Sequence, residues 1–426
     1  MVIKSAMDND TVKEALQRPG LIVPVASEQA SNVPAMTGSL VLLLATATGM
    51  TVASIYYAQP LLEAMRAALG LGVTGAGMVI TISQFGYALG LALLVPLGDL
   101  CERRKLVVAM TAGIALGLAG MGCASGMVML LLFSLVVGAL SVVAQILVAF
   151  AADLAHEWER GRVVGTVMSG LLLGILLART AAGLLAQLFG WRAVFWLAAA
   201  VLLGVAAMIF RALPVRRPTV RSGYGALLKS TLVLFRDEPV LRLRSWYGAL
   251  AFGLFSILWT PLAFLLSQPP FNYPPGVIGL FGFAGVAGAL AASAAGRLAD
   301  RGAAGYTTGA AIVLLIVSWW PIGLASRSVA LLLAGILFLD LGVQALHITN
   351  QSEIYRLRPE ARSRLTSAYM ACFFAGGVAG SSLSALVYSR AGWTGVCVLG
   401  VLPGCAAAGI WLRSRAVRRA GVKAGN

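Results

Sequence analysis

Twelve apolar stretches, each near the ~20 residues a helix needs to cross a bilayer, leave this chain few folds to adopt. They run over about 38–60, 75–97, 105–124, 128–152, 163–187 and 192–213, then 245–267, 276–298, 306–325, 329–351, 365–388 and 393–412. Residues are 59% hydrophobic and 11% charged, and mean hydropathy is +0.88. A soluble fold cannot hide that much apolar surface, so the expectation is an all-α integral membrane protein of twelve transmembrane helices.

The net charge of +16 has two readings, a nucleic-acid surface or membrane topology. A nucleic-acid binder gathers its cations into one patch, whereas here they occupy short loops. In the loops after odd-numbered spans stand only Arg66, Arg192, Arg327 and Arg390, and Arg179 lies inside a span. The other Lys and Arg residues lie in the tails and in the loops after even-numbered spans. By the positive-inside rule that side is cytoplasmic, with both termini. The expected division is a cytoplasmic tail (1–36), a six-helix bundle (37–213), a basic linker (214–244), a second bundle (245–412) and a basic tail (413–426). The first segment lacks the basic-then-apolar order of a cleaved signal peptide. Five cysteines without a CxxC pair suggest neither disulfides nor a metal site.

The halves repeat. Pro60 and Asp99 return 201 residues later as Pro261 and Asp300; Arg160, Arg162 and Trp191 return 202 later as Arg362, Arg364 and Trp393. Duplicated six-helix units are typical of transporters that rock one bundle against the other.

Polar residues inside the spans mark candidate chemistry. In "LFLDLGVQALHITNQ", Asp340, Gln344, His347 and Gln351 project at about 0°, 40°, −20° and 20° on a helix, and Asn350 lies about 80° to one side. An acid facing lipid at mid-membrane costs ~2.5–3.5 kcal/mol, so the stripe faces a cavity or a partner helix. Interhelical bonding explains Asn350 and Gln351, near the cytoplasmic end, as well as function does, whereas function is the favoured reading of Asp340 and His347. Asp340 and His347, an acid and an imidazole, can exchange protons near neutral pH if burial raises the Asp pKa. Arg179 lies ~13 Å deep and Asp340 ~16 Å deep from the same face, which raises the possibility of a charge pair between the halves. Weaker cavity candidates are Tyr56, Tyr57 and Gln59 ending span 1, Gln84, Gln145, Trp259 and Tyr369. Gln145 and His347 are offset by 202 and could face each other. Gly276, Gly279, Gly282, Gly285 and Gly288 recur every third residue and suggest close helix packing.

The loop "VPLGDLCERRKL" after span 2 resembles the G-x-L-x-D-R-x-G-R-R motif of the major facilitator superfamily through Leu97, Asp99, Arg103, Arg104 and Lys105. "GRLADRG" after span 8 matches it through Gly296, Leu298, Asp300, Arg301 and Gly302, and "GWRAVFW" resembles the start of span 6 in drug-efflux members. The resemblance covers nearly the whole chain and implies two pseudo-symmetric six-helix bundles. It also implies a central cavity lined in part by the tenth helix, and a gating role for the charged loops. It departs from drug/proton antiporters at Ser134 and Val137, where R-x-x-Q-G has Arg and Gln, and at Ile175 and Arg179, which interrupt G-P-x-x-G-G. The function implied is proton-coupled efflux of a small drug- or sugar-like molecule by alternating access in a bacterial inner membrane. The carrier would act as a monomer, with protons and lipid as its other partners and no cofactor. Uptake by proton symport on the same fold is the alternative. A membrane enzyme is disfavoured because only His156 and His347 exist, on different segments; a receptor is a remote possibility.

Overall fold

The computed structural model describes residues 37–215, 224–285, 304–358 and 361–424. Among these the regular structure is helical, without strands. The first bundle comprises α1 (Gly38–Ala53), α2 (Val73–Leu93), α3 (Arg103–Gly122), α4 (Met127–Leu154), α5 (Arg160–Phe189) and α6 (Trp191–Ala212). The second comprises α7 (Pro239–Ser267), α8 (Pro275–Ala284 as far as described) and α9 (Ala304–Gly323). It continues with α10 (Val329–Tyr355), then α11 and α12, which together occupy Arg362–Ala424. This is the twelve-helix architecture expected of the apolar pattern.

Local chemistry sets the ends. Thr37 caps α1 by accepting the Leu40 N–H. Pro239 sits at the first turn of α7, where its missing N–H is harmless; that helix therefore begins inside the stretch read as linker, which also contains the helix Tyr224–Asp237. Gly190 (φ 82°) separates α5 from α6, and Gly392 (φ 60°) separates α11 from α12. Both breaks fall at Gly-Trp, at the same point of each repeat, and both need a left-handed conformation that glycine adopts without a steric penalty.

Glycine also sets the helix spacing. A Cβ on Gly174 would meet the Gly49 carbonyl oxygen at 2.2 Å, holding α5 against α1, and one on Gly376 would meet the Ala249 oxygen at 2.0 Å, holding α11 against α7. The same small-residue contact thus recurs in both halves. Gly376→Val should destabilise the protein by ~1–3 kcal/mol or more through overpacking. A lower melting temperature in detergent checks this, with Gly204→Val, whose Cβ meets nothing within 4 Å, as the unchanged control.

The bundles meet along two lines. Between α2 and α11, Thr74 donates to Ser389 at 3.1 Å, Thr81 bonds Ser381 at 2.9 Å, and the Tyr87 and Phe374 rings lie 4.2 Å apart. Between α5 and α8, the Thr180 hydroxyl donates to the Gly279 carbonyl at 3.0 Å, and a Cβ on Gly183 would meet the Pro275 oxygen at 2.3 Å. Toward its other end α5 is open: Arg162, Thr166 and Ser169, which share one face, are exposed. The Thr166 and Ser169 hydroxyls donate to the Arg162 and Gly165 carbonyls of their own helix, at 2.9 Å each.

Candidate functional site

The site is built around Arg179 of α5. Close approach of α8 makes room for it: Gly279 packs on the Arg179 backbone oxygen and Gly282 on its Cβ, at 2.5 and 3.1 Å from the Cβ each glycine lacks. This gives the glycine run of span 8 its role, save Gly288, which lies outside the described residues. The Arg179 side chain is buried. Its Nε donates to Gln59 Oε1 at 2.5 Å, and its guanidinium carbon lies over the rings of Trp259, Tyr56 and Phe255, at 4.1, 5.0 and 5.5 Å from their centroids. Nη2 is buried without a hydrogen-bond partner among the described residues.

Asp340 of α10 completes the cluster from the second bundle. It is buried, and its Oδ1 accepts the indole N–H of Trp259 at 3.3 Å. Gly285 of α8 comes so near that a Cβ there would lie 3.4 Å from Oδ2. Arg179 and Asp340 therefore belong to one site but form no ion pair with each other; Trp259 joins them, with its ring face to the cation and its N–H to the acid. A desolvated ring contact supplies about 2 kcal/mol or more, and a buried, uncompensated ion costs several kcal/mol. The two opposite charges also interact through space.

The other polar residues divide between this cluster and separate ones. His347 Nδ1 bonds the Tyr369 hydroxyl at 2.9 Å and packs on Phe373 at 4.7 Å. Gln145 donates to Tyr87 at 3.4 Å. Gln145 and His347, offset by one repeat, each bond within their own bundle rather than to one another. Gln84, isolated in sequence, donates to Ser256 at 3.1 Å and accepts from Ser381 at 3.3 Å, both in the second bundle. Tyr57 is buried. Gln344 and Gln351 are half-buried, without a hydrogen bond among the described residues.

In the loop after α2, Arg103 donates to the Gly98 carbonyl at 2.8 Å and pairs with Asp153 at the end of α4. Arg104 donates to the Leu213 carbonyl at 3.3 Å, and Lys105 pairs with Glu102 at 3.2 Å. The Asp99 side chain, Asp300 and Arg301 lie outside the described residues.

Sequence reasoning missed a second buried charge cluster. Arg244 of α7 counts as a linker cation when read along the chain, yet it is buried. It donates to Thr308 at 2.9 Å, to Asn350 at 3.4 Å and to Glu353 at 3.1 Å. The one signal available was Asn350, which departs from the α10 stripe on the side that faces Arg244. Glu353→Gln keeps the shape but removes the counter-charge of a half-buried pair, and losing a hydrogen bond between charged groups costs ~1.5–3 kcal/mol. A marked fall in melting temperature is expected, measured beside Lys105→Gln, whose exposed side chain (76%) predicts a change near zero.

Comparison with known proteins follows the same outline. Residues 42–352 match the family model described as Major Facilitator Superfamily. The uncharacterized transporter YgaY of Escherichia coli (strain K12) is 49% identical over 365 residues, spanning 86% of this chain and 93% of that protein. The transporter SCO4007 of Streptomyces coelicolor is 34% identical, over 87% of this chain and 84% of its own. Among solved structures, a bacterial homologue of the human lysosomal transporter Spinster, inward-facing and occupied, superimposes with a TM-score of 0.72 at 13% identity. The match covers 88% of this chain and 96% of that one, and at that identity it bears on fold alone.

Proposed function

Because this chain belongs to the major facilitator superfamily and is a multi-pass membrane transporter rather than an enzyme, we propose that it moves a small organic molecule across a bacterial inner membrane by proton-coupled alternating access. The observation that carries this reading is the cluster of Asp340, Trp259 and Arg179. It places one acid and one fixed cation on opposite bundles, linked through a single indole. Protonating Asp340 changes the charge balance at the contact between the bundles, which is how a proton biases one of two packings. The seams along α2–α11 and α5–α8, with the exposed polar face of early α5, support a state closed at one end and open at the other. With the positive-inside assignment, the open end is cytoplasmic and both termini are cytoplasmic.

Export is the direction favoured by the likeness of the sequence to efflux carriers. A second reading, uptake by symport, is favoured by the charge count of the site. Arg179 and Asp340 offset each other, so an added anion is balanced only when a proton enters with it. The test is a proteoliposome assay with an imposed pH gradient and a panel of small organic compounds followed by mass spectrometry. Accumulation against the gradient of at least one compound supports coupling, and its orientation relative to the acidic side separates export by exchange from uptake by symport. Gradient-independent equilibration of every transported compound contradicts coupling.

A further inference from the structure

Three features of the Arg179 surroundings bear on what the carrier holds. First, the hydrogen-bonding capacity of the guanidinium is only partly spent: Nε is used by Gln59, the rings of Trp259, Tyr56 and Phe255 offer π electrons but no acceptor, and the buried Nη2 has no partner among the described residues. A buried donor on a cation without an acceptor costs several kcal/mol, which an incoming anion would recover. Second, a void with room for about one water molecule lies beside it, lined by Gln59, Pro60, Trp259, Leu262 and Ile278 with Arg179 itself. Apart from Gln59 and Arg179 those walls are apolar or aromatic. Third, the acid of the cluster is turned to the Trp259 N–H instead of to Arg179, leaving the cation available to another oxygen.

Building on the symport reading above, we infer that the substrate is an organic anion, its carboxylate-like head on Arg179, bound together with a proton on Asp340. A cation is repelled by Arg179, and a neutral molecule leaves Nη2 without a charged acceptor. An anion beside Asp340 in its charged form leaves the site with one excess negative charge in a dry setting, an arrangement that costs several kcal/mol. The groups that face Asp340 are Arg179 of α5, Tyr56 of α1, Trp259 of α7 and the backbone of α8 at Gly285. His347, two turns along α10, is turned to Tyr369 and Phe373. Asp340 is thus the acid whose protonation admits the anion.

The test uses the full chain in nanodiscs and three matched probes: benzenesulfonate, which stays anionic at all working pH values, neutral benzenesulfonamide, and cationic benzylamine. Calorimetry should find benzenesulfonate bound at least about tenfold more tightly than the other two. Its affinity should fall toward about tenfold per pH unit once Asp340 ionises, as one linked proton requires. Asp340→Asn should bind the sulfonate with that pH dependence removed, and Arg179→Gln should lose about tenfold or more. Equal or tighter binding of the sulfonamide or benzylamine to the wild type overturns the inference, and so does unchanged sulfonate affinity in Arg179→Gln. The wild-type series decides the matter even if the Arg179 variant fails to fold. Proton-coupled transport fails separately, if sulfonate binds as described but a pH gradient drives no flux.

Discussion

Asp340→Asn should abolish pH-gradient-driven accumulation in proteoliposomes while leaving exchange of substrate across the membrane intact. The asparagine Oδ1 can still accept the Trp259 indole N–H that Asp340 accepts now at 3.3 Å, so packing of α7 against α10 is retained. What disappears is the ability to gain and lose a proton. Arg179, whose surroundings otherwise consist of Gln59 and three aromatic rings, is left as a permanent, uncompensated cation. Uphill transport then falls to the level of empty vesicles. Wild-type accumulation in the variant would remove Asp340 from the coupling role.

Trp259→Ala is expected to have a comparable effect by a different route. It removes a ring that lies 4.1 Å from the guanidinium carbon and, in the same step, the donor to Asp340. A desolvated cation–π contact of about 2 kcal/mol and a hydrogen bond to a charged group of about 1.5–3 kcal/mol combine to ~3–5 kcal/mol, enough to reduce transport by a hundredfold or more. Trp259→Phe separates the two contributions. It keeps a ring under Arg179 but leaves Asp340 without the N–H, so substrate affinity should survive while the pH dependence of transport moves. If the Phe and Ala variants are equally impaired at every pH, the indole N–H is the part that matters; if neither is impaired, the link between the charges is not functional.

Much of this was legible in the chain, and the remainder was not for definite physical reasons. Span lengths, charge asymmetry and the offset repeat contain the twelve-helix architecture, because each depends on hydrophobicity and spacing along one dimension. Helical periodicity also placed Asp340 and His347 on one stripe, and depth counting put Arg179 level with Asp340. Depth is a coordinate along the helix axis, however, and contacts depend on rotation about it as well. That is why the proposed direct pair resolves into a three-residue link through Trp259, and why Gln145 and His347 turn to Tyr87 and Tyr369. Gln84 shows the same limit: as an isolated amide it has no local pattern, and its partners Ser256 and Ser381 are supplied by two helices of the other bundle. Arg244 is the converse case. Its position at the end of the basic linker suggested solvent, but the helix begins at Pro239, six residues earlier than hydropathy alone indicates, and those residues carry the arginine into the bundle.

The central claim, that a proton on Asp340 biases the packing of the two bundles, can be examined without knowing the substrate. Reconstituted protein on a solid-supported membrane is exposed to a rapid pH step, and the displaced charge is recorded. The wild type should give a transient current that Asp340→Asn lacks and that His347→Gln retains. An Asp340→Asn current equal to that of the wild type would contradict the claim.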